Sequence, residues 1–424
     1  MKYLQGQLLL TIHIAARKKF SFCPIGDCSS YDCDEEQVLL HLRQHTEPPI
    51  LTDGAAAPTT LTRRAALPLL KVHNLPNPPE YGSFGMDQEP MEPTMKTCIF
   101  LPPVRKPTGG VTVLRQIADI LHQSGRTACL VARDRTGWRP EGLADAAPVL
   151  DWEELSLTPK DIWLVPEGWV NALAPGLEAR ARCFSYVQNW AYLFSSLPPG
   201  VTWARLPASF LTVSEPVAHF VRESTGRDSL ILRPGIDRSI FHAPESKPAG
   251  KPCIAFMPRK NKSLAAQIRA VFENRNGPDR ARWLEIEGMD TYGVAEALRS
   301  AHIFLMTGFP EGCPLPPLEA MACGCLPVGF TGLGGWDYMR QAQNKPRFSP
   351  WWPVRHVPWS GNGLWCADGD VLDAGLCLEE AVGWIEADAT QFDTALKAGQ
   401  QTADAYSTDM QRENVVRIWE ELEK

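Results

Sequence analysis

Short apolar runs alternate with amphipathic helical patterns from Met95 onward. Each run has about the length of a β-strand, and the eight runs are Thr97–Leu101, Ala128–Ala132, Ile162–Pro166, Phe184–Gln188, Phe210–Ser214, Ile254–Met257, His302–Met306 and Leu326–Phe330. Between the first two runs, Val111, Leu114, Ile117 and Leu121 recur at the three- and four-residue spacing of a helix with one apolar face. Strands that alternate with helices predict an α/β protein with parallel, doubly wound sheets.

A polar segment divides this alternation into two series. Phe241–Pro252 is rich in Pro, Lys, Glu and Gly, as interdomain linkers are. We therefore predict two Rossmann-like domains, residues 95–244 and 245–400, that face each other across a ligand cleft. A last helical pattern, about Thr402 to Glu423, follows without a further strand, so residues 401–424 are predicted to form a separate C-terminal helix.

Residues 1–94 do not share the alternation, and we expect a poorly structured extension. Positions 46–94 are rich in Pro, Thr, Ala and Glu, which is typical of a flexible linker. Within positions 20–46, four residues have the spacing of a two-cysteine, two-histidine zinc finger: Cys23, Cys28, His41 and His45. Two interpretations stay open. Either a finger forms, whose acidic helix favours a protein partner over DNA, or the pattern is fortuitous and belongs to an extension or a misassigned start before Met95.

Composition and net charge argue against several classes of protein. The 424 residues are 44% hydrophobic, enough for about two to three domains, and the net charge of -7 argues against broad nucleic-acid binding. No window approaches 18 apolar residues, so we predict no transmembrane segment. The apolar run Leu8–Ala16 precedes its basic residues instead of following them, which argues against a secretory signal. Twelve scattered cysteines favour a reducing, cytoplasmic location over a disulfide scaffold.

The segment 308–328 carries the clearest chemical signal. It predicts a Gly- and Pro-containing loop, a two-turn helix and a buried strand. A loop that opens into a helix offers unpaired backbone N–H groups and the positive end of a dipole, which suit a phosphate. Pro316 and Pro317 fit the first helical turn, and Gly324 fits the position after its end. The alternative without a functional role is that Glu319 stabilises the helix as a negative charge in its first turn and that Glu311 is a solvated loop residue.

Glu311 and Glu319 enclose seven residues and are followed by Ala-Met-Ala-x-Gly-x-x-Pro-Val. This run resembles the signature of family 4 retaining glycosyltransferases, which have the glycosyltransferase-B fold. The resemblance implies that Glu311 contacts the hydroxyls of the donor sugar and that Glu319 holds the nucleotide ribose. It also implies that the loop backbone binds the diphosphate through Gly312, Cys313, Pro314 and Leu315.

Three further segments belong to the predicted site. Gly109 and Gly110 resemble the Gly-Gly turn that faces the cleft in this family, although a plain glycine turn fits them equally well. After the first strand of the second series, the family places an Arg and a Lys that offset charge on the departing diphosphate. Arg259 matches the Arg, and of the two candidate lysines, Lys260 and Lys262, we favour Lys262.

The first domain departs from the family pattern after its strand Phe184–Val187. Gln188 and Asn189 stand where many members carry a catalytic-site His. These amides can hydrogen-bond a sugar hydroxyl but cannot titrate. In this class the diphosphate oxygen is thought to take the acceptor proton, so the resemblance implies that transfer remains possible without this histidine and leaves the acceptor side open.

The resemblance implies a retaining, metal-independent glycosyltransferase with no cofactor and a nucleotide diphosphate sugar as donor substrate. The acceptor is a hydroxyl of a glycan, a lipid or another molecule, and peripheral membrane association stays open. The alternatives are an epimerase or phosphorylase of the same fold, or a non-catalytic binding protein that carries the zinc finger. Nucleic acid is not an expected partner.

Overall fold

The computed structural model describes residues 95–104, 108–133, 145–350, 352 and 354–424. The predicted N-terminal extension, residues 1–94, lies outside the described residues. It includes the linker at positions 46–94 and the four predicted zinc ligands, Cys23, Cys28, His41 and His45. In the described part, no helix is both long and apolar enough to cross a bilayer.

The first half is built on a seven-stranded sheet in the order β3-β2-β1-β4-β5-β6-β7, with every neighbouring pair parallel. Its strands are β1 Lys96–Leu101, β2 Thr127–Ala132, β3 Val149–Asp151, β4 Ile162–Pro166, β5 Arg182–Val187, β6 Ser209–Thr212 and β7 Ser229–Ile231. Its α-helices are α1 Gly109–Gln123, α2 Ala174–Glu178 and α3 Glu215–Thr225. Short 3-10 helices cover Trp152–Glu154, Glu167–Leu173, Trp190–Tyr192 and Trp203–Arg205.

The second half is built on a five-stranded parallel sheet in the order β12-β11-β10-β8-β9. Its strands are β8 Cys253–Phe256, β9 Arg282–Glu285, β10 Ile303–Met306, β11 Leu326–Phe330 and β12 Leu364–Cys366. Its α-helices are α4 Lys262–Asn276, α5 Thr291–Arg299, α6 Leu315–Ala322, α7 Val371–Glu386 and α8 Thr390–Ala405, and a 3-10 helix covers Gly334–Asp337. The predicted fold class, two α/β halves with parallel sheets, is confirmed.

All eight predicted runs form strands, and the four strands that the pattern missed are the edge strands of the two sheets: β3, β7, β9 and β12. Central strands are buried on both faces and read as continuous apolar runs. Residues of β3 and β7 are only half-buried, and β9 is exposed at both ends, so their sequences carry no such run. β12 is buried but spans only three residues.

The chain ends in α9, Thr408–Leu422, which packs into the core of the first half. Its Trp419 is buried there, and the indole Nε1 donates to Thr97 Oγ1 at 2.8 Å. The helix begins later than the Thr402 start that the pattern predicted. The backbone of Tyr406 and Thr408 instead bonds to both sides of Ile236, which breaks the run into α8 and α9.

Each sheet has one place where the strand order reverses. It lies between β1 and β4 in the first half and between β8 and β10 in the second. In open parallel sheets, ligands bind beyond the carboxyl ends of the strands at such a switch point. The loops after these four strands are therefore the positions in which a site is expected.

Candidate functional site

A cavity of about 420 Å³ lies where the two switch points meet. All four loops reach it: Gly109 and Gly110 follow β1, Glu167 follows β4, Arg259 and Lys260 follow β8, and Glu311 follows β10. The other polar lining groups include Gln188, Asn189, Tyr192, Cys313 and Glu319. The predicted site residues other than Lys262 lie in this cavity or in the loop that forms its wall.

The loop after β10 is fixed by backbone bonds to the segment after β11. Glu311 N donates to Gly332 O at 3.0 Å, and Gly334 N donates to Glu311 O at 3.1 Å. Pro314 carries no N–H, and its carbonyl accepts the hydroxyl of Tyr338 at 2.6 Å. With prolines also in the first turn of α6, this loop offers fewer amide donors than its position suggests. An anion bound here depends mainly on nearby cations.

Lys260 supplies one such cation. Its Nζ lies 2.9 Å from Glu311 Oε1, and both side chains are partly exposed to the cavity. Lys262 does not reach the cavity, because its Nζ faces Glu285 at 3.4 Å and Glu287 at 3.9 Å, and its side chain is 67% exposed. The backbone explains the difference: Asn261 adopts a left-handed conformation with φ of 58° and turns the chain before α4 begins at Lys262. The geometry therefore favours Lys260 over Lys262, the reverse of the preference drawn from the sequence.

Glu319 lies in α6 with its side chain toward the cavity. Among the described residues, no hydrogen bond or ion pair reaches its carboxylate. Burial raises the pKa of Glu319 to about 7, since a carboxylate without partners is less stable out of water. Two free carboxylate oxygens at the wall of a cavity can accept two hydroxyls of one ligand.

The first half contributes an acid that the sequence analysis did not single out. Glu167 is buried, and its two carboxylate oxygens accept Asn189 N at 2.8 Å and Gln188 N at 3.0 Å. Burial raises the pKa of Glu167 to about 7, although these N–H bonds oppose the shift. The signal was available, because an acid that directly follows the buried strand Ile162–Pro166 lies at a sheet edge where ligands bind.

Gln188 connects Glu167 to the glycine turn. Its backbone N–H is held by the Glu167 carboxylate, and its Nε2 donates to Gly110 O at 2.9 Å. A Cβ on Gly110 would lie 2.7 Å from Gln188 Oε1, so glycine permits this close approach. The Gln188 side-chain amide therefore has a fixed orientation at the cavity wall.

The two halves touch through the same loops. A Cβ on Gly312 would lie 1.9 Å from the Gln188 carbonyl oxygen, so only glycine fits between these backbones. Ser214 Oγ donates to Gly312 O at 2.6 Å, and Asn189 Nδ2 donates to Pro310 O at 3.0 Å. The loop after β10 in the second half therefore rests directly on the end of β5.

A buried ion cluster joins the halves beside this contact. Asp337 is completely buried and accepts from Arg233 Nε at 2.7 Å, from Glu215 N at 2.9 Å and from the hydroxyl of Tyr406. Burial disfavours the ionised carboxylate, but Arg233 and Arg355 outweigh that effect and hold the pKa of Asp337 below its usual range. Asp337 is therefore ionised and holds residues of the two halves together.

Cys313 and the buried metal-ligand atoms suggest no further chemistry at the cavity. Burial raises the pKa of the Cys313 thiol well above its usual range, which keeps it neutral. Among the described residues, one group places three ligand atoms within 4.8 Å: Cys366, Asp373 and Cys377. It lies between β12 and α7, outside the cavity lining, and Arg347 already contacts Asp373 at 2.6 Å.

Comparison with known proteins identifies the fold. No family model and no curated protein matches the sequence. A glycosyltransferase from Rickettsia africae ESF-5 aligns with a TM-score of 0.56 and 12% identity, over 78% of this chain and 99% of that one. The sucrose-phosphate synthase of Thermosynechococcus elongatus aligns with a TM-score of 0.54 and 13% identity, over 77% and 99%. The lipopolysaccharide outer core galactosyltransferase WaaB aligns with a TM-score of 0.52 and 12% identity, over 77% and 100%. With its two parallel-sheet halves, the chain has the glycosyltransferase-B fold.

Proposed function

We propose that this protein is a retaining, metal-independent glycosyltransferase of the family 4 type that moves a sugar from a nucleotide diphosphate sugar to an acceptor hydroxyl. One observation carries the proposal. Two cations, Arg259 and Lys260, and two carboxylates, Glu311 and Glu319, line one cavity at the facing switch points of a glycosyltransferase-B fold. That combination matches a donor with an anionic centre and hydroxyl groups on both sides of it.

The donor fits the cavity in one direction. Glu319 accepts the two ribose hydroxyls, because no described residue hydrogen-bonds or forms an ion pair with its carboxylate. The diphosphate lies near Arg259 and Lys260 and the few N–H groups of the loop, those of Gly312, Cys313 and Leu315. Glu311 is left for the hydroxyls of the donor sugar, at the end of the cavity nearer the first half.

The same groups lower the barrier to transfer. As the bond from the sugar to the diphosphate breaks, negative charge grows on the departing oxygen, and cations fixed beside it are more stabilising than water would be. The acceptor hydroxyl attacks from the face that the diphosphate leaves, and its proton passes to that diphosphate oxygen. Gln188 and Asn189 are neutral amides, so they orient the acceptor without taking its proton. This arrangement supports retention of the anomeric configuration.

Turnover of nucleotide sugars tests the proposal directly. Purified full-length protein is incubated with uridine, adenosine, guanosine and thymidine diphosphate sugars in a chelator, with and without oligosaccharide acceptors. We expect release of the nucleoside diphosphate and an α-linked product from an α-linked donor, as read by NMR. Turnover that the chelator abolishes would contradict metal independence, and a product of inverted anomeric configuration would contradict retention.

Substitutions at single residues test which side chains act on the donor. Glu311→Gln and Arg259→Ala should each lower kcat/KM for the donor by about 100-fold, the usual cost of losing one charge-stabilising group. If both variants kept wild-type turnover with every donor, the cavity would not be the donor site. Product analysis separates the alternatives: an epimerase converts the donor without an acceptor, a phosphorylase consumes free phosphate, and a binding protein binds no nucleoside diphosphate.

A further inference from the structure

Beside the cavity, the first half presents a group of aromatic rings at its surface. The rings of Trp190 and Phe194 both contact Phe220 of α3, with centroids 5.5 Å and 6.3 Å apart. Phe194 is 45% exposed, whereas Trp190 and Phe220 are half-buried. We call these three residues the aromatic shelf.

The shelf is continuous with the candidate site. Trp190 directly follows Asn189, and Tyr192, between Trp190 and Phe194 in sequence, lines the cavity. Trp190 Nε1 donates to Gly332 O at 3.2 Å, the same carbonyl that accepts Glu311 N. The indole is therefore anchored to the loop that positions the predicted sugar-binding carboxylate.

Core packing accounts for part of the shelf only. Trp190 and Phe220 pack against the core of the first half, but Phe194 does not belong to that core. Leaving the Phe194 ring 45% exposed forgoes the stabilisation that its burial would give, and an exposed ring that extends an aromatic cluster beside a cavity favours a binding surface.

The chemistry of the shelf selects its ligand. Its members are flat and rigid, none is charged, and none is aliphatic. Flat rings suit the C–H face of a pyranose. An acyl chain would be better matched by a groove of Leu, Ile and Val, and a phosphorylated ligand by cations; the described cations of the cavity lining, Arg259 and Lys260, belong to the second half.

The geometry points to an acceptor subsite: the shelf binds the sugar rings of a neutral oligosaccharide acceptor beyond the ring that receives the transferred sugar. This inference rests on the proposed function, because it names the acceptor class of the same site. It predicts that longer acceptors bind more tightly and that the gain depends on Phe194.

Phe194→Ala tests the subsite, since its half-exposed side chain leaves the core intact. Tyr292→Ala is the matched control, an aromatic residue of α5 in the second half that is 69% exposed and outside the cavity lining. The probes are gluco-, N-acetylgluco-, galacto- and manno-oligosaccharides of one to four units. Donor hydrolysis without acceptor, and KM and kcat for each acceptor length, are measured for both variants and for the wild type.

We expect Phe194→Ala to raise KM about tenfold for three- and four-unit acceptors, equivalent to 1.4 kcal/mol. KM for monosaccharides, kcat at saturation and donor hydrolysis should not change, and Phe194→Trp should restore the advantage of length. Equal effects on short and long acceptors, or none, would overturn the subsite. So would alkyl glycosides whose KM falls with alkyl length in a Phe194-dependent way, because the shelf would then hold an acyl chain.

The test separates the subsite from the proposed function. If the wild type hydrolyses and transfers no donor, the proposed function fails, and calorimetric titration of the tetrasaccharides decides the subsite alone. Binding that weakens in Phe194→Ala but not in Tyr292→Ala would support the shelf as a glycan site. No tetrasaccharide binding in either assay would reject it.

Discussion

Replacement of Gly312 by alanine should force the two halves of the protein apart at the cavity. The new Cβ would lie 1.9 Å from the Gln188 carbonyl oxygen and 3.0 Å from Val213 Cγ2. The nearest atoms belong to backbone, so no side-chain rotation relieves the clash. The two backbones must separate by about 1.5 Å to restore an ordinary contact.

Such a separation removes specific contacts. The bonds from Ser214 Oγ to Gly312 O and from Asn189 Nδ2 to Pro310 O connect the halves at this point. Losing them costs about 0.5–1.5 kcal/mol each, and residual overpacking adds about 1–3 kcal/mol. A total of about 2–6 kcal/mol against the contact between the halves lowers its population by a factor of about 30 or more.

Donor turnover and hydrogen exchange measure the outcome. We expect kcat/KM for the nucleotide sugar to fall about 100-fold in Gly312→Ala, with faster amide exchange at residues 188–190 and 311–314, while the far-ultraviolet circular dichroism stays unchanged. Gly110→Ala is an intermediate case, because its Cβ meets the flexible end of Gln188 at 2.7 Å, and a loss of about fivefold is expected. Gly383→Ala is the control, since the new Cβ would lie 4.0 Å from the nearest atom, Arg280 Nη2. Wild-type turnover and exchange in Gly312→Ala would refute the reasoning.

Other predictions concern charges. Asp337→Asn should lower the free energy of unfolding measured in urea by about 3–5 kcal/mol. Asp279→Asn is the control, because the Asp279 side chain is 96% exposed in its ion pair with Lys251, and the change should be less than about 0.5 kcal/mol. Equal effects of the two substitutions would contradict the buried cluster. Because the folded pKa of Asp337 is depressed, its contribution is present above the unfolded pKa of about 4 and is lost only as the pH falls through the folded value. Lys260→Met should lower donor kcat/KM by about 100-fold and Lys262→Met by less than about twofold, and the reverse order would restore the sequence-based choice. Burial raises the folded pKa of Glu319 to about 7, so the contribution of Glu319 to stability is fully present below the unfolded pKa of about 4.3 and is lost as the pH rises to about 7. Thermal unfolding should therefore show Glu319→Gln gaining on the wild type between about pH 4.3 and pH 7, and parallel curves would argue against the shift.

The sequence pattern was sufficient wherever burial was two-sided. The central strands β4, β10 and β11 are buried along their whole length, so their residues are apolar and the runs are visible in the sequence. The edge strands were not visible, because a strand such as β9 gains its pairing from a single neighbour and has exposed residues at both ends. Edge pairing is decided by the sheet that is already present and not by the strand's own sequence.

The candidate site divides in the same way. Glu311 and Glu319 belong to one short loop and helix, and local sequence therefore determines their spacing. Positions 260 and 262 are both lysine, and only the turn at Asn261 and the position of Glu285 at the end of β9 distinguish the cavity lysine from the surface lysine.

Sequence alone determined the two α/β halves and the loop with the two carboxylates, since hydrophobic period, turn residues and local spacing are encoded within a few residues of one another. Tertiary structure decided which distant groups meet them. Glu167 and Gln188 meet because β4 lies beside β5, and Gly312 reaches Gln188 because the halves close over the two switch points. These contacts join positions more than 20 residues apart in the first pair and more than 100 in the second, and only the packing of the whole chain brings them within hydrogen-bond or van der Waals distance.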